Sequence, residues 1–164
     1  MKTLIFGAGN LLLSDEGFGV HCIRHLEKNY IFPDNVELYD GGTLGIMVTH
    51  KFEEAEQIYI LDVIEGNGTP GELRRYEKDD IMLDRIPVKL SPHQIGIQET
   101  LLMSELRGFC PEKVTLLGVL PVSLDASDQL SAEVSERLDD VAQIISAELA
   151  GQGITILKRA AYNS

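Results

Sequence analysis

The chain has 164 residues, of which 44% are hydrophobic, and its 26 acidic and 14 basic residues give a formal net charge of −12. This length suits one α/β domain over residues 1–164, and the apolar content excludes a disordered chain. The acidic balance argues against a nucleic-acid partner. No apolar window has the length of a membrane span and the amino terminus lacks a signal-peptide pattern, so we expect a cytoplasmic protein without a membrane partner.

Apolar runs and helical spacings alternate along the chain. In order, they predict a strand at residues 4–6, a helix at 15–29, a strand at 36–40, a helix at 44–51, strands at 58–61, 73–76 and 86–90, a helix ending near Gly108, a strand at 114–120, a helix from Ser131 to Gly151 and an extra strand at 154–157. Strands that alternate with helices indicate βαβ units, hence a mostly parallel sheet with right-handed crossovers.

Several details of these elements can be predicted more closely. Ser14 is expected to cap the first helix, with Asp15 and Glu16 in its first turn, where the helix dipole favours an ionised acid. The helix that ends near Gly108 is expected to turn three apolar residues inward, Ile97, Leu101 and Leu102. The long helix presents one apolar stripe, Val134, Leu138, Val141, Ile145 and Leu149.

The loop after the first strand carries a partial glycine pattern. Gly7 and Gly9 match the start of a dinucleotide-binding fingerprint, but Leu12 stands where the third glycine belongs. The adjacent carboxylates of Asp15 and Glu16 would repel a pyrophosphate, so a nucleotide cofactor is disfavoured.

Four polar residues stand at the predicted carboxyl ends of strands. Glu16 lies in the loop leaving the first strand, Asp40 and Asp62 end the second and third, and His93 follows the strand at 86–90. Open α/β sheets bind ligands at that edge. Two carboxylates and one imidazole suit a borderline divalent ion such as Ni²⁺, Zn²⁺ or Co²⁺ and leave positions open for water or substrate. Taken singly, each residue is better explained as a helix-terminal acid, a cap, a turn residue or a surface residue, and it is their convergence on one edge that favours a shared site.

The remaining histidines and the cysteines give weaker signals. His21 and His25 are four residues apart on the first helix, but Cys22 stands where a metalloprotease motif requires glutamate. His50 is expected at the surface or at a helix end. The two cysteines, Cys22 and Cys110, lack metal-site spacing and are expected to be free core residues without a catalytic role.

In combination, the motifs resemble those of the maturation endopeptidases of nickel–iron hydrogenases. The resemblance covers nearly the whole chain and is carried by Gly9-Asn10-Leu11-Leu12-Leu13-Ser14-Asp15-Glu16-Gly17-Phe18-Gly19, Asp40-Gly41-Gly42-Thr43, Asp62, Ser91-Pro92-His93-Gln94 and the strand Leu116-Leu117-Gly118-Val119 before Pro121. Where many members of that family have alanine after the third-strand aspartate, this chain has Val63.

The resemblance implies a three-layer α/β fold with a twisted, mostly parallel five-stranded sheet between helices. It implies removal of a short C-terminal extension from the precursor of a hydrogenase large subunit after nickel insertion. Residue by residue, it implies that Glu16, Asp62 and His93 bind nickel, which is brought by the substrate, and that Asp40 is the acidic residue needed for cleavage. A monomer is expected.

Other hypotheses are compatible with the same residues. A metallohydrolase with its own zinc would contain stoichiometric metal and cut simple peptides, whereas a nickel or precursor-binding chaperone would bind the precursor without shortening it. Since no Ser–His–acid set has a recognisable spacing, we expect water to attack the peptide directly, with Asp40 orienting the scissile segment or accepting a proton.

Overall fold

The apolar runs form the strands of a sheet that is covered by helices on both faces. The computed structural model describes residues 1–42, 49–82 and 92–160, with the side chains of residues 92–97 outside the description. In chain order its elements are β1 (Thr3–Ala8), a 3₁₀ turn (Ser14–Gly17), α1 (Phe18–Asn29), β2 (Tyr30–Ile31), β3 (Val36–Gly42), α2 (Thr49–Glu54), β4 (Gln57–Val63), β5 (Leu73–Glu77), α3 (Lys78–Met82), α4 (Pro92–Leu106), β6 (Lys113–Val119), α5 (Ala132–Ser135), α6 (Arg137–Gly151) and β7 (Leu157–Lys158).

Within the described residues, five strands form the main sheet in the order β3-β1-β4-β6-β5. β1 pairs in parallel with β3 and β4, and β4 pairs in parallel with β6, whereas β5 is an antiparallel edge strand on β6. Every residue of β1 and β4 is buried, as expected for parallel strands covered on both faces. The predicted mostly parallel α/β fold is therefore confirmed.

Two apolar cores lie on the two faces of this sheet. One includes Phe18 and Ile23 of α1 with Val141 and Ile145 of α6. The other includes Phe52 of α2 and Leu101 of α4, together with residues of β1, β4 and β6. The predicted three-layer arrangement follows from these two cores. None of the helices in the described ranges is long and apolar enough to span a membrane.

The first helix begins later than predicted. Residues Ser14–Gly17 form a 3₁₀ turn, and α1 starts at Phe18. The predicted Ser14 cap is wrong, because Ser14 has a positive φ of 52° and its hydroxyl donates to the carbonyl oxygen of Asp125. A contact more than a hundred residues away therefore overrides the local capping signal.

Other differences also reflect tertiary packing. Leu102 is 41% exposed rather than buried, while Leu101 is fully buried as predicted. The long helix is interrupted at Glu136, and Ser131 caps its first segment by accepting a hydrogen bond from the Val134 amide. The extra strand lies at Leu157–Lys158, where it pairs with β2 outside the main sheet.

Two predicted elements fall largely outside the described residues. Of the helix predicted at residues 44–51, only its end can be compared, and α2 begins at Thr49. The strand predicted at residues 86–90 lies wholly outside the described ranges. Both remain predictions.

Helix α1 rests directly on the backbone of the two central strands at its first turn. A Cβ atom placed on Gly19 would lie 2.1 Å from the Leu61 carbonyl oxygen and 2.3 Å from that of Ala8. Only glycine permits this approach. Because α1 packs this closely on the strands, the turn that precedes α1 lies at the carboxyl ends of β1 and β4.

We predict that Gly19→Ala lowers the free energy of unfolding by about 1–3 kcal/mol, because the added methyl group must displace strand backbone. Urea denaturation followed by circular dichroism measures the change. Gly151→Ala is the matched control, since a Cβ atom there meets nothing within 4 Å. A Gly19→Ala protein as stable as the Gly151→Ala control would contradict the proposed close packing.

Candidate active site

The candidate site lies at the carboxyl edge of the sheet, around the end of β1. In the strand register, Gly7 of β1 pairs with Asp40 of β3 on one side and with Leu61 of β4 on the other. Asp40 and Asp62 therefore end strands that flank β1, about 10 Å apart at two interstrand spacings. The predicted convergence of these two acids on one edge of the sheet is confirmed.

Glu16 reaches the same edge through the 3₁₀ turn after β1. Its carbonyl oxygen accepts a hydrogen bond from the Asn10 amide at 3.2 Å and packs against Gly9, where a Cβ atom would lie only 1.9 Å from it. Gly9 has a φ of +138°, which side-chain-bearing residues rarely adopt. The first two glycines of the partial fingerprint thus serve close backbone packing, and Glu16 itself is half-buried.

Asp62 is a fully buried carboxylate that accepts only one hydrogen bond from the described residues. It is 0% exposed, and its Oδ1 accepts a hydrogen bond from the Val63 amide at 2.8 Å. Its Oδ2 is buried and has no hydrogen-bond partner among the described residues. Burial raises the pKa of Asp62 well above its usual value, the Val63 hydrogen bond partly opposes this, and the negative charge of Glu16 raises it further. The electrostatic coupling indicates that Glu16 and Asp62 share one neighbourhood.

Asp40 differs from Asp62 because its side chain is exposed. Its Oδ1 accepts a hydrogen bond from the Gly42 amide at 3.1 Å, and the Gly42 carbonyl in turn accepts from the Gly9 amide at 2.8 Å. Asp40 also lines an open cavity of about 280 Å³, together with residues of the β1 loop that include Asn10 and Leu11. An exposed carboxylate at a cavity can contact a bound polypeptide and exchange protons with water.

His93, the third expected ligand, can be placed only by its backbone. It lies in the first turn of α4, directly after Pro92, which opens the helix. The side chain of His93 lies outside the described residues, so its meeting with Glu16 and Asp62 remains a prediction. Among the side chains that are described, no group of three or more His, Cys, Asp or Glu is arranged to hold a metal ion.

Asp15 is a buried residue whose role was not anticipated from the sequence. Its carboxylate is 0% exposed and accepts four hydrogen bonds, from Val122 N at 2.8 Å, Ser123 N at 3.0 Å, Ser131 N at 2.8 Å and Ser131 Oγ at 2.9 Å. The sequence signal was only an acidic pair, which a helix N-terminus explains equally well. The donors lie more than a hundred residues further along the chain, beyond the reach of local pattern.

The other histidines and the cysteines have structural contacts. His25 Nε2 lies 2.9 Å from Asp139 Oδ1, which ties α1 to α6, and burial lowers the pKa of His21. Cys22 and Cys110 are free thiols whose pKa values are raised by burial. Neither favours a thiolate at neutral pH, as expected for residues without a nucleophilic role.

A larger cavity, about 630 Å³, lies at the opposite, amino edge of the strands. Met1, Gln57 and Lys113 line it, and these residues precede or begin β1, β4 and β6. In a parallel sheet the carboxyl edge is the usual ligand side. The smaller cavity at Asp40 is therefore the better candidate.

Comparison with known proteins agrees with this geometry. The profile of the hydrogenase maturation protease family HycI matches residues 20–148. The hydrogenase expression/formation protein HupD of Rhodobacter capsulatus is 35% identical over 164 residues, which cover 99% of this chain and 78% of that protein. The hydrogenase 2 maturation protease of Escherichia coli is 32% identical over 99% of both chains.

A solved structure of the hydrogenase-maturating endopeptidase HybD from Escherichia coli has the same fold. It superposes with a TM-score of 0.90, at 32% identity, over 97% of this chain and 98% of that one. Sequence and structure are thus similar over almost the full length of both chains. The chain belongs to the hydrogenase maturation protease family.

Proposed function

We propose that this endopeptidase removes the C-terminal extension of a nickel–iron hydrogenase large-subunit precursor after nickel insertion. Nickel belongs to the substrate and is gripped by Glu16, Asp62 and His93, while Asp40 acts on the scissile segment. The family supports the reaction class, and the positions of the acids at the carboxyl edge support the assignment of roles. The free thiols of Cys22 and Cys110 fit a reducing compartment such as the cytoplasm.

The observation that carries the metal assignment is the environment of Asp62. Burying a carboxylate costs free energy unless it is paired or hydrogen-bonded, yet Asp62 accepts only one hydrogen bond from the described residues and lies near the charge of Glu16. A divalent cation bound by both carboxylates would remove their repulsion and give Oδ2 a partner that the described residues do not supply. Oxygen ligands together with an imidazole suit nickel.

A nickel ion carried by the precursor gives the enzyme a means of selection. A precursor that contains nickel brings the cation that Glu16 and Asp62 bind, whereas a precursor without nickel leaves the repulsion between these two carboxylates in place. Each 1.4 kcal/mol of differential affinity corresponds to a factor of about ten between the two precursors. The extension is therefore removed only after the metal is in place.

We favour direct attack by water on the peptide over attack by a cysteine thiol. Both thiols have raised pKa values, so they are poor candidates for an acyl-enzyme. Asp40 is exposed at the cavity and held at the end of β3 by the Gly42 amide. A carboxylate in this position can orient the scissile peptide and accept a proton from the attacking water.

We predict that Glu16→Gln lowers the affinity for Ni²⁺ by at least about tenfold and abolishes processing of the nickel-loaded precursor, because the charge is lost while the shape is kept. Calorimetric titration with Ni²⁺ and electrophoresis of the precursor measure the two effects. Glu27→Gln, the same change on the exposed side of α1, is the control and keeps wild-type values. Normal processing by Glu16→Gln would refute the ligand assignment.

Asp40→Asn is expected to leave Ni²⁺ affinity within about twofold of wild type and to slow cleavage by roughly 10²–10⁴, the range for loss of a general base. Single-turnover cleavage of the nickel-loaded precursor measures the rate. Asp34→Asn, an exposed acid just before β3, serves as the matched control. Loss of nickel binding in Asp40→Asn would instead make Asp40 a ligand or a structural residue.

Asp62→Asn is expected to stabilise the metal-free protein at neutral pH while abolishing Ni²⁺ binding. The folded-state pKa of Asp62 lies above its unfolded value, so the folded wild-type protein holds the extra proton and loses stability as pH rises above about 3.8. Asparagine removes this loss. Urea denaturation between pH 4 and pH 7 should show that the free energy of unfolding of the variant increases relative to that of the wild type as pH rises. A pH-independent difference would argue against a costly buried charge.

A further inference from the structure

We infer that Asp15 is a positioning residue for Glu16 and that it acts by joining the turn before α1 to the distant segment after β6. The inference rests on the proposed metal-binding role of Glu16. It assigns a role to a residue outside the expected ligand set. Asp15 is fully buried, and its effect on Glu16 is transmitted through the backbone that the two residues share.

The hydrogen bonds of Asp15 link two segments that are far apart in the chain. Its carboxylate accepts hydrogen bonds from the amides of Val122, Ser123 and Ser131 and from the Ser131 hydroxyl. Hydrogen bonds to a buried charged acceptor are among the stronger ones in proteins. We call the joined segments, residues 12–15 and 122–131, the clasp.

Backbone hydrogen bonds reinforce the clasp on both sides of Asp15. The Ser14 amide donates to the Ser127 carbonyl at 2.8 Å, and the Ser127 amide donates to the Leu12 carbonyl at 3.0 Å. The Asp15 amide itself donates to the Ser123 carbonyl at 3.2 Å. Ser14 keeps a left-handed φ of 52° within this network, a conformation that persists only where surrounding contacts determine it.

The clasp fixes the residue immediately before Glu16 at both its backbone and its side chain. On the other side, Gly17 packs closely against the Leu11 backbone, where a Cβ atom would approach to 3.0 Å. The 3₁₀ turn also contacts β4, the strand of Asp62. Glu16 is thus set beside Asp62 by neighbours that are themselves immobilised, which is what a ligand needs before the metal arrives.

The clasp can be weakened without dismantling the sheet. Among the described residues of the clasp, none is a buried member of either core, and Leu130 is half-buried against the first core. Residues 124–129 are exposed. We therefore expect loss of the Asp15 carboxylate to loosen the clasp locally while the strands stay folded.

A double-mutant cycle with Asp15→Asn and Glu16→Gln tests the inference. The asparagine amide places N–H donors against the N–H donors of the clasp, so the network must loosen. We expect Asp15→Asn to lower Ni²⁺ affinity about 10- to 100-fold in the wild-type background, as outer-shell changes do. In the Glu16→Gln background, Asp15→Asn should lower the Ni²⁺ affinity less than about twofold, because the metal ligand that Asp15 positions is already lost.

The measurement is calorimetric titration of each purified full-length protein with Ni²⁺ alone, alongside its thermal unfolding. A structural role alone would lower Ni²⁺ affinity equally in both backgrounds, and that additive result would overturn the inference. Unchanged affinity in Asp15→Asn would overturn it as well. Asp125→Asn removes an exposed acid from the same clasp and is expected to retain wild-type affinity.

Ser131→Ala keeps the test decisive if Asp15→Asn fails to fold. It removes one donor to Asp15 and is expected to lower Ni²⁺ affinity severalfold in the wild-type background, with a smaller loss beside Glu16→Gln. Equal losses would overturn the inference. Failure of the proposed function would appear separately, as a wild-type protein that does not shorten the precursor, since the titration cycle involves no precursor.

Discussion

A buried carboxylate requires hydrogen-bond donors or a cation, and this requirement organises the candidate site. Asp15 and Asp62 are both fully buried. From the described residues, Asp15 accepts four hydrogen bonds, whereas Asp62 accepts one and lies near the charge of Glu16. The satisfied acid fits a structural role, because its charge is already compensated by protein donors. The other acid fits a ligand, because the described residues do not supply a partner for its Oδ2 atom.

The parallel sheet explains why these acids meet. Each strand runs from the amino edge to the carboxyl edge, so residues that follow successive apolar runs arrive at one edge whatever their separation in sequence. Close packing of Gly19 on the central strands then brings the turn of Glu16 down onto that edge. Exposed Asp40 completes the edge on the far side of β1. Asp40 and Asp62, the residues proposed to contact the peptide and to bind the metal, therefore lie on strands at opposite sides of β1.

Much of this arrangement could be predicted from the sequence, since it depends on patterns a few residues long. Apolar runs predict β1 and β4, an alternating pattern predicts β3, and Asp40 and Asp62 lie near the ends of β3 and β4. What could not be predicted depends on distant contacts. From the sequence, Asp15 is indistinguishable from an ordinary helix-terminal acid and Ser14 from a helix cap, because their partners lie more than a hundred residues away. Leu102 is predicted to be buried but is exposed, because helical spacing does not tell how much of the helix surface is covered by other elements. The role of His93 remains a prediction from its place after the strand at 86–90 and from the resemblance, because its side chain lies outside the described residues.

The central claim is that nickel in the precursor licenses cleavage. Intact-mass analysis of a nickel-loaded and a nickel-free large-subunit precursor, each incubated with the wild-type protein, tests it most directly. The account predicts that only the nickel-loaded precursor loses the mass of its C-terminal extension. Equal shortening of both precursors, or binding of the loaded precursor without any loss of mass, would contradict it.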